Sequence, residues 1–327
     1  MNSIRTYVTP ANIRHKNRTD KLFKAAFLSS SLLSASFIVM IVLFIAFKGV
    51  SPFIRQYEGY NNLFGTVILP PVNPIRFLTG MQWLDGPLLN TSGYAIGYAI
   101  VNTLIAVFLA IMLVVPIAVL TALFIAKVAP KPVSKVMRTV VELLAAIPSI
   151  VYGVFGLGII TKITIATAGV FNVQTAAGLS LMSTVLVLAI MILPTITAIS
   201  ETSIRSVDST IIEGSLALGA SEMQTYYKVV LTSAKSGIFA GIILGVGRAL
   251  GEATAVAMVS GNAFSGIQTS LFGTTATLTS RMLLGLKDTT GLDYDIRFSV
   301  GLVLMAVILI TNFTLRAIMR KVGNLDA

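Results

Sequence analysis

Long apolar stretches separated by short polar ones dominate this chain. Charge-free runs cover Ala25–Phe47, Gly86–Ala126, Leu143–Thr161, Ile163–Ser200, Ala253–Ser280 and Phe298–Leu315. A helix needs roughly 20 apolar residues to cross a bilayer core. The pattern therefore predicts six membrane helices, near 25–47, 95–127, 139–161, 175–200, 236–260 and 298–318. The second is too long for one perpendicular crossing and must tilt or begin outside the membrane. Pro116, Pro148 and Pro194 fall within predicted spans and mark kinks, tolerated where neighbouring helices satisfy the freed carbonyls. The fold class is an all-α membrane protein with six transmembrane helices.

The remaining segments sort into loops. Residues 49–94 carry Pro52, Pro70, Pro71, Pro74 and Pro87, which argues for irregular structure, and Trp83, which suits a membrane interface. A second loop, 261–296, is rich in Gly, Ser and Thr, and Ala129-Pro130-Lys131-Pro132 is a turn between the second and third spans. The domain reading is a basic tail (1–24), a first transmembrane helix (25–48), an outside loop (49–94) and a membrane domain (95–320) containing the polar connection 201–235. No repeat or low-complexity tract is visible.

Composition agrees with the pattern. Mean hydropathy is +0.87, and 11% of residues are charged against about 25% in soluble proteins. The net charge of +11 follows topology rather than nucleic acid, because no basic helix is interleaved with aromatics. With the N-terminus in the cytoplasm, 16 Lys and Arg fall on inside segments, seven lie outside, and Arg248 lies within a span. The positive-inside rule then places both termini in the cytoplasm. The chain has no Cys and a single His, His15, which excludes disulfides and thiolate chemistry and leaves no Cys/His metal site; no cofactor is expected. Residues 1–24 resemble the charged start of a signal peptide, but the apolar run that follows has 23 residues, too many for one, so an uncleaved span is expected.

The connection 201–235 is too polar to cross a membrane. Thr210-x-x-Glu213 and Ser221-x-x-Gln224 fit capping boxes, each opening a short helix, and Gly219 fits a left-handed stop between them. Taken alone, Glu213 is either a cap partner or part of a docking motif. In the fifth span, Gly237, Gly241, Gly245, Arg248 and Glu252 share an arc of about 80° at 100° per residue. Arg248 lies 12 residues past Ser236, roughly 18 Å in and close to the middle of the core. The glycines predict close approach to another helix, and an i,i+4 ion pair would let both charges persist there. Either the pair is a locked bridge that fixes packing, or Arg248 faces a wet path and attracts an anion, its fork matching oxyanion geometry while Glu252 keeps the binding weak enough for release. Gly245-x-Gly247-x3-Gly251 has the wrong spacing, and no preceding strand, for dinucleotide binding.

Residues 213–232, EGSLALGASEMQTYYKVVLT, resemble the EAA loop of ABC-importer permeases, E-A-A-x3-G-x9-I-x-L-P. Gly214-Ser215 stands for Ala-Ala, and Thr232 for the final Pro. The resemblance assigns the block Glu213, Gly214, Ser215, Leu216, Ala217, Leu218, Gly219 and Ala220 to docking on an ATPase. Gly247–Asn262 (GRALGEATAVAMVSGN) and Glu142–Gly158 (ELLAAIPSIVYGVFGLG) are similar to phosphate-importer permeases, more to the PstC than to the PstA type. That likeness implies a type I ABC-importer fold in the bacterial inner membrane and a heterodimer with a PstA-like permease. It also implies two PstB-like ATPases, a PstS-like phosphate-binding protein outside, and Arg248 and Glu252 on the phosphate path. Glu142, Pro148 and Ser149 carry over as motif members only. The chain lacks G-x4-G-K-S/T, so ATP hydrolysis by that route falls to a partner and the chain is a non-catalytic transport subunit. The alternatives are a permease for another oxyanion such as sulfate or molybdate, a passive anion channel, and an intramembrane enzyme.

Overall fold

A bilayer leaves no unpaired backbone polar group, so only helices and closed barrels span it, and charge-free runs of about 20 residues or more suit helices rather than barrel strands of about 9–11. The computed structural model describes residues 10–61, 65–84 and 93–323. Residues 1–9 of the basic tail and Pro87 lie outside the described residues, as do the side chains of residues 10–18, among them His15. Contacts divide the chain into two units at Gly49.

The first unit is helical. Helix α1 runs Pro10–Ile54, past the unit boundary; its apolar side chains, such as Phe27, Leu33 and Phe44, are exposed. The second unit opens on an antiparallel hairpin, β1 Tyr57–Asn61 with β2 Gly65–Leu69, and a short helix α2, Pro74–Thr79, capped by Asn73. The loop 49–94 is thus more regular than its prolines imply: Pro70 and Pro71 follow β2, and Pro74 occupies the first turn of α2, where a missing N–H costs nothing. Trp83 is fully buried rather than interfacial. Its ring packs edge-on against Tyr94 at 5.4 Å, and its backbone N–H donates to the Phe264 carbonyl of the 261–296 loop.

The membrane body follows: α3 (Gly97–Leu123, continued by a wider turn to Val128), α4 (Lys131–Ala146), α5 (Ser149–Phe155) and α6 (Thr161–Val170), α7 (Leu181–Arg205), the connection helices α8 (Ser209–Ala217), α9 (Glu222–Gln224) and α10 (Leu231–Ser233), then α11 (Lys235–Gly251), α12 (Thr254–Val259), α13 (Leu278–Leu283) and α14 (Gly291–Gly323). Among the described residues five helices are long and apolar enough to span, and a sixth is reached if the pair Glu222–Ser233 and Lys235–Gly251, bent by 66°, counts as one. The third span shifts from the expected 139–161 to Ser149–Val170. Pro148 ends the preceding helix at Ala146, and α4 is a separate amphipathic helix carrying Lys131, Lys135, Arg138 and Glu142. Pro116 and Pro194 lie inside unbroken helices.

Three apolar clusters stack along the body. The central one packs α3, α5, α7, α11 and α12 around Ala110, Leu188, Met191, Ile192 and Leu250. A second, around Phe77, Trp83, Tyr98 and Ile296, closes the end that bears the hairpin. The third, Ala122, Leu123, Ile204, Val230, Ala234 and Ile238, lies under the polar connection at the opposite end.

Candidate substrate path and coupling loop

Helix α11 meets α7 through its glycines. A Cβ at Gly237 would stand 2.1 Å from Ser203 Oγ, at Gly241 3.2 Å from Ile199 Cβ, and at Gly245 2.7 Å from Ile196 Cγ1. Only residues without a side chain allow this approach, and the stripe predicted from the 3.6-residue period is the contact face. One turn on, Arg248 continues the same seam: its guanidinium donates to the hydroxyl of Thr195 on α7 at 2.8 Å.

Glu252 does not pair with Arg248. Helix α11 ends at Gly251, and Glu252 turns extended at φ −74°, ψ 118°, so the two residues no longer share one helical face. The Glu252 carboxylate instead accepts the Ala255 N–H in the first turn of α12 at 2.9 Å, while its carbonyl accepts the Thr279 hydroxyl at 2.7 Å. Ion pairs among the described residues lie elsewhere and include Arg138–Glu142 at 3.0 Å and Arg205–Glu201 at 2.5 Å. The expected i,i+4 bridge is therefore corrected to a guanidinium held by a hydroxyl and a carboxylate held by backbone. Both side chains are half-buried. Tyr152 of α5, whose hydroxyl donates to the Leu144 carbonyl at 2.7 Å across the Pro148 break, lies within electrostatic reach of Arg248.

The polar connection forms two short arms. Its first cap differs from expectation: α8 is opened by Asp208, which accepts both the N–H and the hydroxyl of Thr210, so Thr210 is not a cap and Glu213 is not its partner. Those bonds hold the Asp208 carboxyl below its ordinary range, the backbone N–H first. Gly219 adopts φ +84°, the left-handed stop the sequence called for. Ser221 and Gln224 form the reciprocal capping box. Ser215 and Thr225 join the arms through their hydroxyls at 2.9 Å. Glu213, Gly214, Leu216, Ala217, Leu218 and Gly219 are exposed, Leu218 to 91%, while Ser215 and Ala220 are half-buried.

Thr195, Arg138 and Glu201 were not singled out in the sequence. The i,i+4 spacings Arg138/Glu142 and Glu201/Arg205 were the available signal.

Comparison with known proteins returns one family. The profile of the binding-protein-dependent transport system inner membrane component matches residues 115–324. The probable ABC transporter permease protein YqgH of Bacillus subtilis (strain 168) is 32% identical over 82% of this chain and 81% of its own. The phosphate transport system permease protein PstC of Pasteurella multocida (strain Pm70) is 34% identical over 61% of this chain and 67% of its own. Among solved structures, a chain from a bacterial ABC transporter involved in the import of the acidic polysaccharide alginate superposes with TM-score 0.62 at 15% identity, covering 94% of this chain and 98% of its own. A chain from the alginate ABC transporter in complex with a pentasaccharide-bound periplasmic protein gives 0.60 at 17% identity, covering 93% and 97%.

Proposed function

Since the chain belongs to the family of binding-protein-dependent transport system inner membrane components, and is thus an ABC-importer permease, we propose that its cargo is inorganic phosphate. Arg248 carries this reading: a guanidinium deep in an apolar helix, held by the Thr195 hydroxyl and, among the described residues, by no carboxylate, keeps its charge for an incoming oxyanion. Relatives with phosphate-transport names, such as the Pasteurella PstC, support the same cargo. Glu252, held by the Ala255 N–H rather than by Arg248, limits the positive potential so that the anion also leaves.

In this reading the exposed arm 213–220 docks an ATPase subunit in the cytoplasm. Both termini then lie on that side, a PstA-like permease completes the pore, and a PstS-like binding protein delivers phosphate to the segments 49–94 and 261–296. A PstB-like pair hydrolyses ATP, for which this chain has no phosphate-binding loop. The test is uptake of labelled phosphate in a strain deleted for its own high-affinity phosphate importer and given this gene with its partners. Restored phosphate uptake that excess sulfate and molybdate leave unchanged is expected. Uptake of sulfate or molybdate in place of phosphate would assign the permease to that oxyanion.

A further inference from the structure

Along α7 from Thr195 toward Arg205, a second set of charges surrounds a cavity that the path through Arg248 does not use. The cavity holds about 110 Å³ and is lined in part by Arg138 and Glu142 of α4 and Thr197, Glu201 and Thr202 of α7. At roughly 30 Å³ per water this is room for three or four waters or one tetrahedral oxyanion. The two ion pairs around it act as one network: Glu142 first, then Glu201 across the helix gap, hold the Arg138 guanidinium more firmly charged than usual. Arg205 also reaches Ser134 of α4 at 3.5 Å. Lys127, within electrostatic reach of Arg205, leaves this end of the network with one positive charge in excess.

Thr197 points to a ligand. It is fully buried, lines the cavity, and its hydroxyl has no hydrogen-bond partner among the described residues. A buried hydroxyl left so is costly, and native proteins rarely tolerate one without water or a bound group.

We propose that this cavity, whose α7 wall runs from Thr197 to Thr202, about 3–10 Å of helix rise past Thr195, is a second stopping point for the same oxyanion on the way to the Arg205 end. The proposal rests on the phosphate reading of Arg248. The guanidinium of Arg138 and the Thr197 hydroxyl donate to anionic oxygens. The carboxylates of Glu142 and Glu201, each neutralised by its own arginine, accept the O–H of hydrogen phosphate. Sulfate is fully ionised near neutral pH and has no O–H to give, so it would set one dianion against two carboxylates without a bridging proton. The cavity thereby selects a protonated oxyanion, which the single guanidinium at Arg248 does not.

The test uses the assembled transporter, both permease subunits with the ATPase, and labelled inorganic phosphate. Bound phosphate per complex is counted at equilibrium, and uptake is measured in proteoliposomes supplied with the binding protein. Arg138→Gln and Thr197→Val should each remove one bound phosphate and slow uptake about tenfold, the scale of one lost buried hydrogen bond, while Arg248→Gln independently removes another. Glu142→Leu, at a position 59% exposed, should make phosphate uptake about tenfold more sensitive to sulfate. Thr197→Val deletes only an unpartnered hydroxyl, so without phosphate its thermal stability should match or exceed the parent's. Wild-type stoichiometry in both Arg138→Gln and Thr197→Val, with loss in Arg248→Gln, would overturn the second site and leave the first. Slowed uptake at unchanged stoichiometry would make the charges a mechanical clamp and likewise overturn it. No loss in Arg248→Gln either would remove the path reading itself.

Discussion

Arg248 sits where a charge is expensive, and what holds it decides what its removal does. Its partner is the Thr195 hydroxyl, and Glu252 keeps its own bond to the Ala255 N–H whether or not Arg248 is present. Arg248→Ala therefore leaves no stranded carboxylate. Membrane abundance should stay within about twofold of the parent, while phosphate uptake falls about 10- to 100-fold, the range for a lost hydrogen bond to a charged group. Arg248→Lys, which keeps the charge and loses the planar fork, should fall between. Immunoblots of membranes beside labelled-phosphate uptake check both; collapse of abundance with the Ala variant would make Arg248 a packing element. Asp208 offers a test by pH. Thr210 depresses its carboxyl in the folded chain, so the support it lends α8 is present above the ordinary carboxylate value and is lost as pH falls through the lower folded value. Hydrogen exchange at the Thr210 amide should accelerate in that acid window. Asp208→Asn should abolish the pH dependence while keeping protection, since an amide oxygen still caps.

Among the elements, the α11–α7 seam makes the strongest mechanical claim. Gly245→Ala would gain up to about 1 kcal/mol of helix propensity. Against that, its new Cβ stands 2.7 Å from Ile196 Cγ1 and 2.8 Å from Cδ1, and overpacking of this kind costs about 1–3 kcal/mol. The net effect should be a lower melting temperature of the purified complex. Ile196→Ala, which removes both atoms, should restore much of it in the double mutant; additive losses would show that the two helices do not meet there. This seam was legible in the sequence because its glycines recur at the helical period. The same holds for Gly219 and the Ser221–Gln224 box, whose chemistry is local. What failed to show was set by termination and by distant partners. In the sequence Pro148 reads as a kink within a span, yet it ends α4 and moves the third span to Ser149–Val170. Gly251 is the last residue of α11, so a pair spaced i,i+4 in the chain is not a pair in space. Trp83 is buried by Tyr94 and by residues far along the chain, and no local pattern announces that. The four charges beside Thr197 needed α4 and α7 to be side by side before they meant anything.

For the molecule as a whole, the end that carries the hairpin is a built surface. Asn102 holds both Gly266 and Gln268, Arg281 holds the Asn262 and Ala263 carbonyls, and Tyr57 donates to Asp295 at 2.8 Å. A rigid platform suits a partner that must bias one state of the transporter over another, because a ligand shifts only states it binds differently. Photo-crosslinkers placed between 264 and 290 should capture the phosphate-binding protein in whole cells, and those at Leu216 or Leu218 the ATPase; the reverse outcome would invert the proposed topology. Gly219→Val, forced out of φ +84°, should release the ATPase from the purified complex, since the left-handed region is costly for any residue with a branched Cβ. The opposite end carries the bend. The arm Glu222–Ser233 meets α11 at 66°, with Ala234 buried at the elbow. This is a bell crank: push on the short arm and the long one swings. Arg248 lies 14 residues beyond Ala234, a radius of about 21 Å. A turn of only about 10° at the elbow would then carry its guanidinium some ~4 Å, more than the length of a hydrogen bond. One stroke of the ATPase, delivered far from the membrane centre, would thus suffice to break the grip on Thr195 and change which way the arginine faces.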